Sequence, residues 1–227
     1  MSLIALALAA DSLTMASLDS RGCHSQECKR VFRAALACKD LKGVHYIKSI
    51  NVICFDTKFD LEMRSASQIA EIFPKKNVTV VAKSSGGSIS SAMQMVAHLE
   101  KFNYNIIVSD ICASACGQFL FLGANKKFII GRGAVGIHGG PINSEVIKGM
   151  NLSDQDKQNL IKEQYMFRSF YSIRGINMKL VTDPPVHARD LLSKGQVVFW
   201  IPSEKDFDSN GVKNVKYFDA AFRSPNG

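Results

Sequence analysis

The strongest constraint on this chain is an alternation in its middle third between short, nearly uninterrupted apolar runs and stretches of helical periodicity. Asn77 to Ala82 (NVTVVA) has the pattern of a strand covered on both faces. The turn Ser84 to Ser88 (SSGGS) follows, and residues 89 to 102 place Met93, Val96, Ala97 and Leu99 on one side of a helix. Tyr104 to Ser109 (YNIIVS) reads as the next strand and Ser114 to Gly123 as the next helix. Lys127 to Ile130 and Ala134 to Ile137 read as two more short strands. Strands alternating with helices of this length predict right-handed crossovers and mainly parallel pairing, an α/β fold.

The flanking regions extend the pattern. Residues 44 to 55 are rich in β-branched and aromatic side chains and predict one or two strands. Residues 61 to 73 suit a helix that Pro74 ends. A long helix is expected from Ser153 to Ile173, then a short helix over 187 to 194, an apolar strand from Val197 to Ile201 and a final helical turn. No repeat or Pro/Gly/Ser-rich linker divides the chain, so residues 23 to 227 read as one domain behind an N-terminal segment, 1 to 22.

That segment carries a short apolar run, Leu3 to Ala10, with small residues at Ala7, Ala9 and Ala10 that fit a small-x-small cleavage site. Export is the expectation, to a periplasmic or extracellular location. The lack of a Lys or Arg before the run favours the alternative, a cytoplasmic protein with a helical N-terminus. Six cysteines, Cys23, Cys28, Cys38, Cys54, Cys112 and Cys116, fit an oxidised, exported protein, and their pairing is open at this level. A metal site at Cys23, His24, Cys28 and Cys38 is disfavoured because the C-x2-C spacing of zinc modules is missing.

The chain has 46% hydrophobic and 21% charged residues, the balance of a globular protein. No run approaches the roughly 18 apolar residues of a membrane span. The formal charge of +8 comes from 28 basic residues scattered along the chain, with no interleaved aromatics. A solvated basic surface is expected rather than a nucleic-acid interface.

Three segments carry chemistry, each at or just beyond the C-terminal end of an expected strand, where α/β sheets place their ligands. Ser85-Gly86-Gly87 lets the backbone turn sharply and present amides to an oxyanion. Cys112-Ala113-Ser114-Ala115-Cys116 puts a serine between two alanines at a strand-to-helix junction, where helix amides are free. Gly136-Ile137-His138-Gly139-Gly140-Pro141 ends a strand in a histidine. Taken singly, each has an ordinary structural explanation: a turn, an N-cap, a core histidine. In combination they supply a nucleophile, a base 24 residues later and oxyanion donors.

On these residues the stretch from Asn77 to Pro141 resembles the proteolytic subunit of Clp proteases and its relatives, including signal peptide peptidase A and the crotonase superfamily. The matching elements are Ser84-Ser85-Gly86-Gly87, Ala113-Ser114-Ala115 and Ile137-His138. Strong similarity covers about a third of the chain, and a weaker match of element order runs from about residue 45 to 215. The resemblance implies a Clp/crotonase-type spiral of β-β-α units and serine-type peptide hydrolysis without a cofactor. Ser114 would be the nucleophile and His138 the base. The amides of Gly86 and Ala115 would line the oxyanion hole, with Gly87 beside them at the substrate. It further implies peptide or unfolded-protein substrates and a homo-oligomer.

The Clp pattern also has an aspartate near the C-terminus, and the closest segment here, Phe199 to Glu204, lacks it. Asp183 and Asp190 lie nearby without aligning. A Ser-His dyad is therefore expected, and loss of the orienting acid from a full triad can cost about 10⁴-fold in turnover. The rival readings are a catalytically idle scaffold that binds peptides or assembles into oligomers, and a crotonase-like acyl-CoA enzyme. Rival mechanisms are a serine–lysine pair using Lys83, Lys126 or Lys127, and a thiolate at Cys112 or Cys116. The G-x-S-x-G elbow of an α/β-hydrolase is absent.

Overall fold

The computed structural model describes residues 23–59, 64–140, 144–185, 189 and 199–218. Its frame is a mixed, mostly parallel seven-stranded sheet. The strands are β1 (Gly43–Ile47), β2 (Val52–Asp56), β3 (Thr79–Ser84), β4 (Asn105–Ala113), β5 (Lys127–Ile130), β6 (Ala134–Gly136) and β7 (Val215–Phe218). They run in the order β1-β2-β3-β4-β5-β7, and β6 pairs with β4 off this path. Only the β1–β2 hairpin is antiparallel among these pairings.

The short apolar runs are explained by burial on both sides of the sheet. Along β2 to β5 successive side chains enter opposite cores, as the two-residue strand period requires. Ile53, Phe55, Val80, Ala82, Ile106, Val108 and Ile129 face the larger core. Val52, Cys54, Val81, Ile107, Phe128 and Ile130 face the smaller one.

Helix α1 (Gln26–Cys38) covers the smaller core with Cys28, Val31, Phe32, Ala34 and Cys38. Ser25 caps it by accepting from the Cys28 amide. Cys38–Cys54 bonds this helix to β2, and Cys23–Cys28 ties down its entry. The larger core is covered by α2 (Arg64–Ala70), α3 (Ile89–Glu100), a π-helical stretch (Cys116–Phe121) and α5 (Asp154–Ile173). The remaining helices are α4 (Ser144–Gly149), α6 (Lys179–Thr182) and α7 (Glu204–Ser209). Among the described residues no helix is long and apolar enough to cross a membrane.

The expected elements and the observed ones differ in places. α1 and β7 are not among the expected elements; segment 1 to 22 lies outside the described residues, as does the expected helix over 187 to 194 apart from Arg189. Of the expected strand Val197 to Ile201 only the last three residues are described, and Trp200 pairs with Ile137 in an antiparallel bridge.

Phe119, fully buried on the π-helical stretch, meets Phe167 and Phe170 of α5 edge-on at 5.0 and 5.1 Å between ring centroids. These contacts seat α5 beside the helix that follows Ser114. Phe119→Ala is expected to lower stability by about 3–5 kcal/mol, read from urea denaturation followed by circular dichroism.

Candidate functional site

β4 delivers the centre of the site. Its last three residues, Ile111 to Ala113, pair with Ala134 to Gly136 of β6, and the chain then turns at Ser114 into the π-helical stretch. Ser114 adopts a φ of 54°, a left-handed conformation that few non-glycine residues take. Its amide donates to Gly136 O at 2.9 Å and its carbonyl accepts from Gln118 N at 2.8 Å. Cys112 and Cys116 form a disulfide across the turn and are both fully buried. The serine therefore sits at the middle of a five-residue covalent ring.

That pairing, together with Cys23–Cys28 and Cys38–Cys54, accounts for every cysteine. It removes the thiolate alternative at Cys112 and Cys116, and it takes Cys23, Cys28 and Cys38 out of any metal-binding role as thiolates.

β6 and the Ile137–Trp200 bridge deliver the histidine. Ile137 and Trp200 exchange both backbone hydrogen bonds at 2.9 Å, which fixes the chain on which His138 follows. Ser114 Oγ and His138 Nε2 are 2.6 Å apart. When the hydroxyl donates to Nε2, the imidazole carries its proton on Nδ1. Burial holds the His138 imidazole below its ordinary value of 6.5, so it is neutral at pH 7 and can accept a proton. Phe199 packs edge-on against the ring at 5.1 Å.

Gln118, buried in the π-helical stretch, donates from Nε2 to His138 O at 2.5 Å and to Gly139 O at 3.1 Å. It holds the histidine by its backbone, a role that no motif in the sequence signals. Among the described residues no carboxylate touches His138. Asp183 pairs with Arg189 at 3.5 Å, and Asp190 lies outside the described residues.

The glycine turn has two distinct roles. β3 carries an irregularity between Ala82 and Ser84 that brings Ser84 opposite Cys112, and such bulges re-aim the chain. The Gly86 amide turns back onto Ser84 Oγ at 3.2 Å. Gly86 O accepts from Phe59 N at 2.9 Å. Carbonyl and amide point opposite ways in a trans peptide, so the Gly87 N–H is directed away from Phe59. Gly87 lines the cavity over Ser114 and His138.

Gly86 instead provides room. A Cβ there would lie 2.3 Å from Ser114 Cβ and 3.0 Å from the Ala115 amide nitrogen. The Ala115 amide opens the helix and has no hydrogen-bond partner among the described residues.

Over the pair lies a cavity of about 370 Å³ lined by Gly87, Ser114, His138 and Gly139 on the sheet side and by α4 and α5 opposite. None of the three candidate lysines reaches it. Lys83 pairs with Asp110 and Lys126 with Glu27, while the buried Lys127 donates to Ala124 O and Lys213 O. The arrangement can transfer a serine proton to a neutral imidazole beside the free Ala115 amide, which is the equipment of acyl transfer. No protein-family model and no curated protein matches the chain.

If the Cys112–Cys116 ring holds the serine in its left-handed turn, its loss should loosen the 2.6 Å contact. Replacing both cysteines by alanine is expected to slow reaction of Ser114 with a fluorophosphonate by about tenfold or more, since a misplacement near 1 Å can cost 10²-fold. Replacing Cys23 and Cys28 together, remote from the site, should leave that rate within about twofold. Time courses of labelling on the folded variants provide the comparison.

Proposed function

We propose that the chain is a serine-type peptide hydrolase built on a Clp/crotonase-type spiral, with Ser114 and His138 working as a dyad. The observation that carries this reading is the 2.6 Å contact between Ser114 Oγ and a neutral His138 Nε2 beside the free Ala115 amide. The crossover order of β2 to β5 and the diversion of β4 to a second neighbour, β6, support the spiral. Three disulfides favour folding in an oxidising compartment, periplasmic or extracellular. The motif resemblance favours a homo-oligomer.

In this mechanism Ser114 Oγ attacks the carbonyl carbon of the peptide bond as its proton passes to His138 Nε2. The tetrahedral oxyanion lies against the Ala115 amide and an amide of the Gly86-Gly87 turn. Collapse breaks the C–N bond, and His138 returns the proton to the departing amine. Water, deprotonated by the same imidazole, then attacks the acyl-serine ester and releases the carboxylic acid and the hydroxyl. Gln118 keeps the imidazole in place through the His138 and Gly139 carbonyls, and Phe199 limits its rotation.

The lack of a carboxylate at His138 among the described residues favours a second reading, a peptide-binding scaffold with an unreactive serine. Labelling with a fluorophosphonate separates the two. Modification of Ser114, lost in Ser114→Ala and reduced about 10²- to 10⁴-fold in His138→Ala, is the expected result. Folded, oxidised protein that does not label would leave the scaffold.

The pH dependence follows from the burial of His138. Protonation of the imidazole removes the base, so the labelling rate should fall on the acid side with a midpoint below 6.5 and level off above it. A midpoint above 6.5, measured on the wild-type protein, would contradict a dyad with a desolvated base.

A further inference from the structure

The wall of the cavity facing Ser114 is a single face of α5. Leu160, Glu163, Gln164 and Phe167 all line it, at the i, i+3, i+4, i+7 spacing that puts residues on one side of a helix. Ile89 and Ile147 add apolar surface from α3 and α4. Glu163 is the one carboxylate among the lining residues, and no hydrogen bond or ion pair holds it among the described residues.

The lining thus combines apolar side chains with a single unpaired negative charge. That combination suits a long aliphatic stem that ends in a cation. Lysine and arginine side chains have this form, burying their methylenes along apolar surface while the charged head seeks a polar partner. A neutral aliphatic side chain would fill the same walls but leave the carboxylate without a partner.

Building on the hydrolase reading, we propose that Glu163 determines substrate class, selecting peptides with a lysine or arginine side chain beside the bond that Ser114 attacks. Glu163 takes no part in the proton transfers. It binds the cationic end, so its contribution appears in the choice between substrates.

The test uses two peptidyl diphenyl phosphonates that differ only in the side chain next to phosphorus, lysine in one and norleucine in the other. Norleucine keeps the four-carbon stem and omits the ammonium group. Second-order inactivation rates are measured on the full chain, and peptide mapping locates the modified residue. The wild-type protein is expected to react about tenfold faster with the lysine reagent, a ratio in the range that one hydrogen-bonded charge contributes. Glu163→Gln should bring the ratio near one by slowing the lysine reagent alone, Glu163→Asp should restore part of it, and Glu163→Lys should invert it. Because the pair is partly exposed, the wild-type ratio should also shrink at high salt.

Modification at Ser114 with the same ratio in wild type and Glu163→Gln would overturn this inference and leave the hydrolase reading standing. Failure of both phosphonates and of the fluorophosphonate to modify Ser114 in folded protein would overturn both.

Discussion

Strand β4 is the element on which the rest of the structure depends. Among the described residues it is the one strand that makes pairings with three others: β3 along one edge, and β5 and then β6 along the other. Ile106, Ile107 and Val108 are completely buried, with alternate residues committed to opposite cores. A strand enclosed this way has little freedom to slip, because a one-residue shift would exchange its two faces. Its end, Cys112 to Ser114, is correspondingly well positioned, and catalytic constellations are most accurate when they are built on rigid elements.

Around that strand end the site is assembled from backbone more than from side chains. The glycine turn is placed by hydrogen bonds to Phe59, the histidine by the bridge to Trp200, and the serine turn by Gly136 O. Gln118 joins the serine and histidine arms through two carbonyls. Backbone-held geometry offers amide donors whose direction is set by the fold, and such donors need no reorganisation when charge develops beside them.

Much of this frame is legible in the sequence where burial is two-sided, because a run such as NVTVVA has few other uses. The helix of residues 154–173 could be read from Ser153, which caps it, and from its length. α1 is less legible for a physical reason. Cys28 and Cys38 belong to its apolar face with Val31 and Phe32, but as cysteines they read as crosslinks before they read as buried positions. β7 has four residues and exposes Lys216 and Tyr217, so its sequence carries little signal; pairing with β5 makes it a strand. Within the site, Ser114 and His138 were recoverable from residue type and spacing. The separate places of Gly86 against Ser114 and of Gly87 against Phe59 were not, since they depend on contacts between distant parts of the chain. Gln118 and Glu163 gain their places from helices packed over the sheet, contacts that no local pattern records.

The ring closed by Cys112 and Cys116 makes the chemical environment of the chain part of its architecture. Each bond of this kind forms by removal of two electrons and two protons, so the same polypeptide exists in two forms with one amino-acid sequence. In reducing surroundings the serine turn is an open pentapeptide between two thiols, free to relax from its left-handed conformation. In oxidising surroundings it becomes a closed macrocycle with the hydroxyl carried at its centre. The position of the Ser114 hydroxyl is thereby tied to the redox state of its surroundings. Both sulfurs are then sealed in the core, which shields the closed form from reductants as long as the protein stays folded.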